Sequence, residues 1–268
     1  MPPRRRRRLR GLSVNALIPN ALTVLGLCMG LTSIRFALLE RWELAVAAII
    51  AAGIIDGLDG RVARILKAST EFGAQLDSLS DFLCFGVAPA IVLYLWTLHE
   101  GGAAGWTVAL FFSVCMALRL ARYNVSLANP DRPAWAARFF VGLPAPTASG
   151  IVLLPMMLSF EFGGGFLDRP LVVALHTVFV ALLVVSTIPM HSGKGIRLRQ
   201  KHVLPVLMLV GLFFAAVVGY PWHTFSLLSI GYLVSILFSA RSYRRLQAEA
   251  ARASPTGDGS GADEDAGE

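Results

Sequence analysis

The sequence predicts an all-α polytopic membrane protein with about eight transmembrane helices and both termini in the cytoplasm. Three observations support this prediction. Hydrophobic residues make up 55% of the 268 residues, charged residues only 15%, and the mean hydropathy is +0.63. Eight apolar segments follow one another, most of them near the roughly 20 residues that cross a bilayer as a helix. The cations collect between these segments, which is typical of oriented membrane helices rather than of nucleic-acid binding.

The first apolar segment runs from residue 17 to about residue 39 and follows an arginine-rich start. Because it is long enough to span a bilayer and further segments follow, we interpret it as a retained helix rather than a signal peptide. This interpretation divides the chain into a basic cytoplasmic segment (1–16), a membrane domain (17–246) and a disordered acidic cytoplasmic tail (247–268). The remaining candidate spans are 44–66, 73–97, 103–124, 144–160, 170–190, 203–219 and 223–240.

The distribution of cations predicts the orientation of these spans. With the arginine-rich start inside, all but three of the 24 lysines and arginines fall at the inner ends of spans or in inner loops. Arg41 and Arg169 fall in outer loops, and Arg35 lies near the outer end of the first helix. The positive-inside rule therefore favours cytoplasmic termini.

Four aspartates occur within residues 56–81, in otherwise apolar sequence. Asp56 and Asp59 are three residues apart and Asp77 and Asp81 four apart, so on helices each pair shares one face. An aspartate at the centre of a membrane helix costs roughly 2.5–3.5 kcal/mol, so these residues indicate a functional site. A ligand set made only of oxygen atoms favours magnesium, manganese or calcium over zinc.

The predicted topology brings the two acidic pairs to the same depth. The second helix runs inward to about Lys67, and the third begins near Gly73 and runs outward. At ~1.5 Å per residue, all four acids then lie roughly 6–15 Å from the cytoplasmic ends of their helices. The short link at 68–72 fits an antiparallel hairpin, in which Ser69 or Thr70 can cap the third helix.

The pattern Asp56-x2-Asp59-Gly60-x2-Ala63-Arg64-x8-Gly73-x3-Asp77-x3-Asp81 resembles the signature of the CDP-alcohol phosphotransferase family at all eight fixed positions. The resemblance covers residues 19–146 well and the later spans only in layout. It implies a divalent metal, magnesium or manganese, held mainly by Asp56, Asp59 and Asp77, with Asp81 completing the site and acting as general base. The nucleotide- and phosphate-binding residues that it implies are Asn20, Thr23, Gly57, Gly60, Ala63, Arg64 and Gly73.

Three elements outside the acidic signature leave alternatives open. Pro19-Asn20 with Thr23 either opens the first helix or, as the family resemblance implies, lies beside the nucleotide. At 119–124, inner-end arginines either snorkel to lipid headgroups or form part of a binding site. The second alternative follows from a similar Arg-x2-Arg-aromatic-Asn element in the phosphatidylserine synthase branch. It implies that Arg119, Arg122 and Asn124 bind phosphate or the acceptor carboxylate. The element at 142–146 is either a rigid loop beside the pocket or a plain turn.

Within the family, the chain is most similar to the bacterial integral-membrane phosphatidylserine synthases. That resemblance implies attack of the L-serine hydroxyl on CDP-diacylglycerol, giving phosphatidylserine and CMP, in a homodimer of the bacterial inner membrane with its active site on the cytoplasmic side. The acidic motif alone fits other acceptors equally, namely glycerol 3-phosphate, inositol or choline. A cation transporter also uses intramembrane carboxylates, but the clustering of the acids at one end of two helices argues against a transport path.

Overall fold

The protein is represented by a computed structural model that describes residues 14–68, 70–127, 139–141, 143–186, 189–191 and 203–236. These residues are helical apart from loops and one short antiparallel ribbon, in which β1 (Phe139–Val141) pairs with β2 (Pro189–His191). The predicted helical class is confirmed, and the ribbon is a feature that the sequence analysis did not predict. Most of the basic N-terminal segment, Gly142 and the predicted acidic tail lie outside the described residues.

Each of the eight predicted segments contains helix. A π-helical segment (Phe82–Val87) joins α3 to α4, and a 3-10 turn (Leu98–Gly101) joins α4 to α5. The described α-helices are α1 (Val14–Leu38), α2 (Trp42–Ile65), α3 (Glu71–Asp81), α4 (Ala88–Trp96), α5 (Gly102–Leu127), α6 (Ala145–Val152), α7 (Leu154–Phe162), α8 (Pro170–Val185), α9 (Val203–Gly219) and α10 (221–236).

Three described helices are long and apolar enough to cross a membrane: Leu17–Leu38, Glu71–Trp96 and Leu98–Ser126. The bent pair α6 and α7 makes a fourth if it forms one span, whereas α8 and α9 are apolar but shorter, at 16 and 17 residues. The acid-bearing α2 has 24 residues and carries several charges. The structure therefore shows a helical protein with three to four candidate spans. The count of eight spans and the orientation of the termini remain predictions.

Small residues on α1 allow it to pack closely against α3 and the π-helical segment. A Cβ atom added at Gly30 would lie 2.5 Å from the sulfur of Cys84, so glycine is required at this crossing. Side chains of both elements donate hydrogen bonds to carbonyl groups of α1. Ser80 Oγ of α3 donates to Thr23 at 3.4 Å, and Cys84 Sγ of the π-helical segment donates to Gly26 at 3.3 Å. This packing brings Thr23 next to the acid-bearing helices.

The fifth predicted span is broken into α6 and α7, which meet at an angle of 41°. Pro155 has no N–H group, so the carbonyl of Ile151 loses its helical partner at this break. His176 of α8 compensates, because its Nε2 lies 2.8 Å from the Ile151 oxygen and donates to it. A bond from another helix thus satisfies the carbonyl that the proline leaves free.

Candidate active site

The hairpin formed by α2 and α3 positions the candidate site. The last three turns of α2 carry Asp56 and Asp59, while α3 carries Asp77 and ends at Asp81. Thr70 caps α3, since its hydroxyl oxygen accepts a hydrogen bond of 2.9 Å from the backbone N–H of Gly73. Of the two residues predicted as caps for this helix, the structure therefore shows Thr70 in that role.

The acids converge as the sequence predicts. One carboxylate oxygen each of Asp56, Asp59 and Asp77 lies within 4.8 Å of the other two. Asp81, one turn beyond Asp77, brings its carboxyl group close to that of Asp56. Asp59 is only 4% exposed. Three carboxylates this close repel one another unless a cation lies between them, and their hard oxygen atoms suit magnesium or manganese.

Thr23 of α1 fixes one of the acids. Its hydroxyl lies 2.7 Å from Asp59 Oδ2 and 3.1 Å from the carbonyl oxygen of Pro19, and the side chain is 7% exposed. A hydroxyl has one hydrogen to donate, and the carboxylate is the stronger and nearer acceptor. The alternative in which Pro19-Asn20 opens the first helix is wrong, because α1 begins at Val14 and Pro19 lies inside it. These residues instead line the site.

A cavity of about 210 Å³ adjoins the acid cluster. It includes five of the residues assigned to nucleotide and phosphate binding: Asn20, Thr23, Gly60, Ala63 and Gly73. The other lining residues are Pro19, Asp59, Ala68, Thr70, Ala74 and Asp77. Sequence analysis did not identify Ala68 or Ala74 because an alanine side chain carries no signal of function.

Two residues of the predicted nucleotide set lie outside the cavity lining. A Cβ atom added at Gly57 would have no other atom within 4 Å, so this position faces open space. Arg64 folds back along its own helix, where its Nε donates a 3.0 Å hydrogen bond to the Gly60 carbonyl. Gly57 and Arg64 are therefore absent from the cavity lining, although Arg64 contacts Gly60.

Gly73 allows α1 and α3 to approach each other at the rim of the cavity. A Cβ atom at this position would lie 2.7 Å from Asn20 Oδ1 and 3.1 Å from Thr70 Oγ1. The first distance is too short for any real contact, so the Asn20 side chain would have to move. A side chain at position 73 would therefore displace Asn20 from its place over the start of α3.

Arg119 of α5 is a buried residue whose positive charge acts on Asp81. The side chain is 8% exposed, and its guanidinium carbon lies 5.7 Å from the centroid of the Tyr123 ring. Its positive charge interacts with the carboxylate of Asp81, and the Tyr232 side chain lies nearby. This burial argues against snorkelling for Arg119. Tyr232, on α10, was missed from sequence, although a tyrosine within an apolar span was an available signal.

Arg122 and Asn124 connect α5 to other helices. The Arg122 Nη2 donates a 2.6 Å hydrogen bond to the carbonyl of Val185, the last residue of α8. Asn124 Nδ2 donates to the hydroxyl of Ser78 at 3.0 Å, directly after Asp77 on α3. The three polar residues predicted as one binding element thus make different contacts.

The helices bring four carboxylates together beside a cavity, and the sequence spacing of these acids is that of the CDP-alcohol phosphatidyltransferases. The family model of that description matches residues 16–188, and the chain belongs to this family. A second model, CDP-alcohol phosphatidyltransferase 2, matches residues 201–236.

The chain is also similar to curated relatives within this family. The chain is 40% identical over 237 residues to the CDP-diacylglycerol–serine O-phosphatidyltransferase of Mycobacterium bovis, an alignment that covers 88% of this chain and 82% of that protein. It is 32% identical over 200 residues to the protein of the same name from Helicobacter pylori, covering 74% and 81% of the two chains.

Proposed function

We propose that this protein transfers the phosphatidyl group of CDP-diacylglycerol to the hydroxyl of L-serine, giving phosphatidylserine and CMP. The observation that carries the proposal is the convergence of Asp56, Asp59 and Asp77 within 4.8 Å beside a cavity. The choice of serine rests on the relatives, which bear that activity in their names and align with most of this chain.

The carboxylates of Asp56, Asp59 and Asp77, with Asp81 completing the set, are the residues that hold a divalent metal, magnesium or manganese. When bound, this metal neutralises the pyrophosphate charge and helps CMP to leave. Thr23 orients the Asp59 carboxylate through their 2.7 Å hydrogen bond. Asn20, Gly60, Ala63 and Gly73 shape the pocket for the nucleotide and its phosphates.

Asp81 acts as the general base. The serine hydroxyl oxygen forms a bond to the phosphorus that carries diacylglycerol, the bond from that phosphorus to the CMP oxygen breaks, and the hydroxyl proton passes to Asp81. Its position supports this role, since Asp81 lies beyond the three clustered acids and toward Arg119. A positioned base of this kind contributes about 10²–10⁴-fold to a rate.

We further propose that eight spans place the site on the cytoplasmic side of the bacterial inner membrane, in a homodimer as is usual for the family. The cation distribution supports this orientation. Cysteines introduced at 101 or 164, in a variant without native cysteines, should react with an impermeant label added outside. Cysteines at 130 or 195 should not react. The reverse pattern would exclude the eight-span topology and the cytoplasmic site.

An acceptor panel tests the activity itself. Purified protein with CDP-diacylglycerol and magnesium or manganese should release CMP when L-serine is added, and excess chelator should abolish the release. If glycerol 3-phosphate, inositol or choline supports turnover and serine does not, the serine assignment is wrong although the family assignment survives. Full turnover in excess chelator would exclude the metal role, and cation flux without CMP release would identify a transporter.

A further inference from the structure

A second cavity, of about 360 Å³, lies between α2, the π-helical segment, α6, α7 and α10. Apolar side chains from these elements line it, among them Ile49, Ile54, Leu153, Met157 and Leu228. It shares no lining residue with the cavity beside Asp59 and Asp77. A cavity with such walls takes an apolar group rather than a nucleotide.

One end of this apolar cavity adjoins the acid cluster. Gly53 lies three residues before Asp56 on α2, so the two share a helix face. Phe85 lies four residues, or about one turn, after Asp81. A Cβ atom added at Gly53 would lie 3.6 Å from the Phe85 ring and 3.7 Å from Pro146. The residues one turn from the acids thus meet at this end of the cavity.

The cavity extends away from the acids by about the depth of one membrane leaflet. Along α2 it is lined from Ile54 to Val46, which is ~12 Å at ~1.5 Å per residue. Along α6 and α7 it is lined from Pro146 to Met157. One leaflet is half of the ~30 Å hydrocarbon core, or ~15 Å. The length of the cavity therefore suits a single acyl chain.

The far end of the cavity is closed. Val46 and Met157 are only 0% and 1% exposed. About one turn further from the acids, the rings of Phe160 and Trp222 pack edge to face with centroids 5.1 Å apart. Leu228, by contrast, is 57% exposed, so the cavity reaches the surface beside α10. An apolar chain can enter from this side, but it cannot extend past Met157.

Another cavity, between α4 and α5, has a similar volume of about 370 Å³. It includes Phe82 and Leu118, which directly neighbour Asp81 and Arg119 in the chain. At 3.6 residues per turn, adjacent residues point in directions roughly 100° apart. This cavity therefore lies on a different face of its helices from the acids, and it provides a control.

We propose that the apolar cavity between α2 and α10 holds one acyl chain of CDP-diacylglycerol, and that Met157 limits the chain length that the protein accepts. This inference rests on the proposed function, in which the reacting phosphorus carries diacylglycerol beside the acids. Surrounding lipid tails are as apolar as the cavity walls, so the hydrophobic effect does not favour one chain length over another. Selection comes instead from packing against the closed end, where extra methylene groups have no space.

Competition between substrates of different chain length tests the role of Met157. Purified protein is given equal amounts of dilauroyl and distearoyl CDP-diacylglycerol in mixed micelles, with L-serine and magnesium. Mass spectrometry of the early products then gives the ratio of the two kcat/KM values. In Met157→Trp the distearoyl-to-dilauroyl ratio should fall about fivefold or more, because the larger side chain shortens the cavity. In Met157→Ala it should rise about twofold or more, because the chain end fills the vacated space.

Met156→Ala and Leu110→Trp are the matched controls. Met156 is 0% exposed but does not line the apolar cavity, and Leu110 lines the cavity between α4 and α5. Both should keep the wild-type ratio. The inference is overturned if the Met157 variants keep that ratio or shift it in the same direction, or if either control shifts it equally. If one Met157 variant does not fold, the other decides. Wild-type protein that forms no phosphatidylserine from either substrate would instead refute the proposed function.

Discussion

Replacing Thr23 by valine should weaken metal binding at a site that Thr23 itself does not ligate. Valine has nearly the same shape, so the change removes the 2.7 Å hydrogen bond to Asp59 without opening a cavity. A hydrogen bond to a charged group contributes about 1.5–3 kcal/mol, and 1.4 kcal/mol is a tenfold change in an equilibrium constant. The magnesium concentration for half-maximal activity should therefore rise about 10–100-fold, the range typical of residues that orient metal ligands.

The assay is a magnesium titration of CMP release by purified protein at saturating CDP-diacylglycerol and serine. Thr32→Val is the matched control, because Thr32 lies on the same helix and its hydroxyl donates to the backbone carbonyl of Cys28, at 2.7 Å, with no other bond among the described residues. Thr23→Ser keeps the hydroxyl and should restore near-normal half-saturation. The reasoning is refuted if Thr23→Val titrates like the wild type, or if Thr32→Val shifts the titration equally.

Three further predictions concern chemistry, nucleotide binding and stability. Asp81→Asn should lower turnover at least about 100-fold while CDP-diacylglycerol affinity in metal is largely kept; near-normal turnover would exclude Asp81 as the base. Gly73→Ala should raise the KM for CDP-diacylglycerol, because the new methyl group displaces Asn20; an unchanged KM would show that Asn20 does not contact the nucleotide. His176→Ala should destabilise the fold by about 1–3 kcal/mol, measured as a lower melting temperature, because the Ile151 carbonyl is left unpaired; equal melting temperatures would contradict this role.

Much of the acidic site could be predicted from the chain because its determinants are local. The spacings of Asp56 and Asp59, and of Asp77 and Asp81, place each pair on one helix face by helical geometry alone. The five-residue link then fits an antiparallel hairpin, and Thr70 within it is a residue type that caps helices. Because this geometry depends on residues close together in the chain, the convergence of the acids could be predicted without knowledge of any distant contact.

Only the tertiary structure decided which residues from other helices meet this hairpin. Thr23 and Asp59 are 36 positions apart, and their hydrogen bond depends on how α1 crosses α2. Arg119 and Arg122 lie one turn apart with the same side chain, yet one is buried beside Asp81 and the other holds the end of α8. The physical reason is that the rotation and crossing of packed helices, which residue spacing within one helix does not specify, determine which side chains face each other.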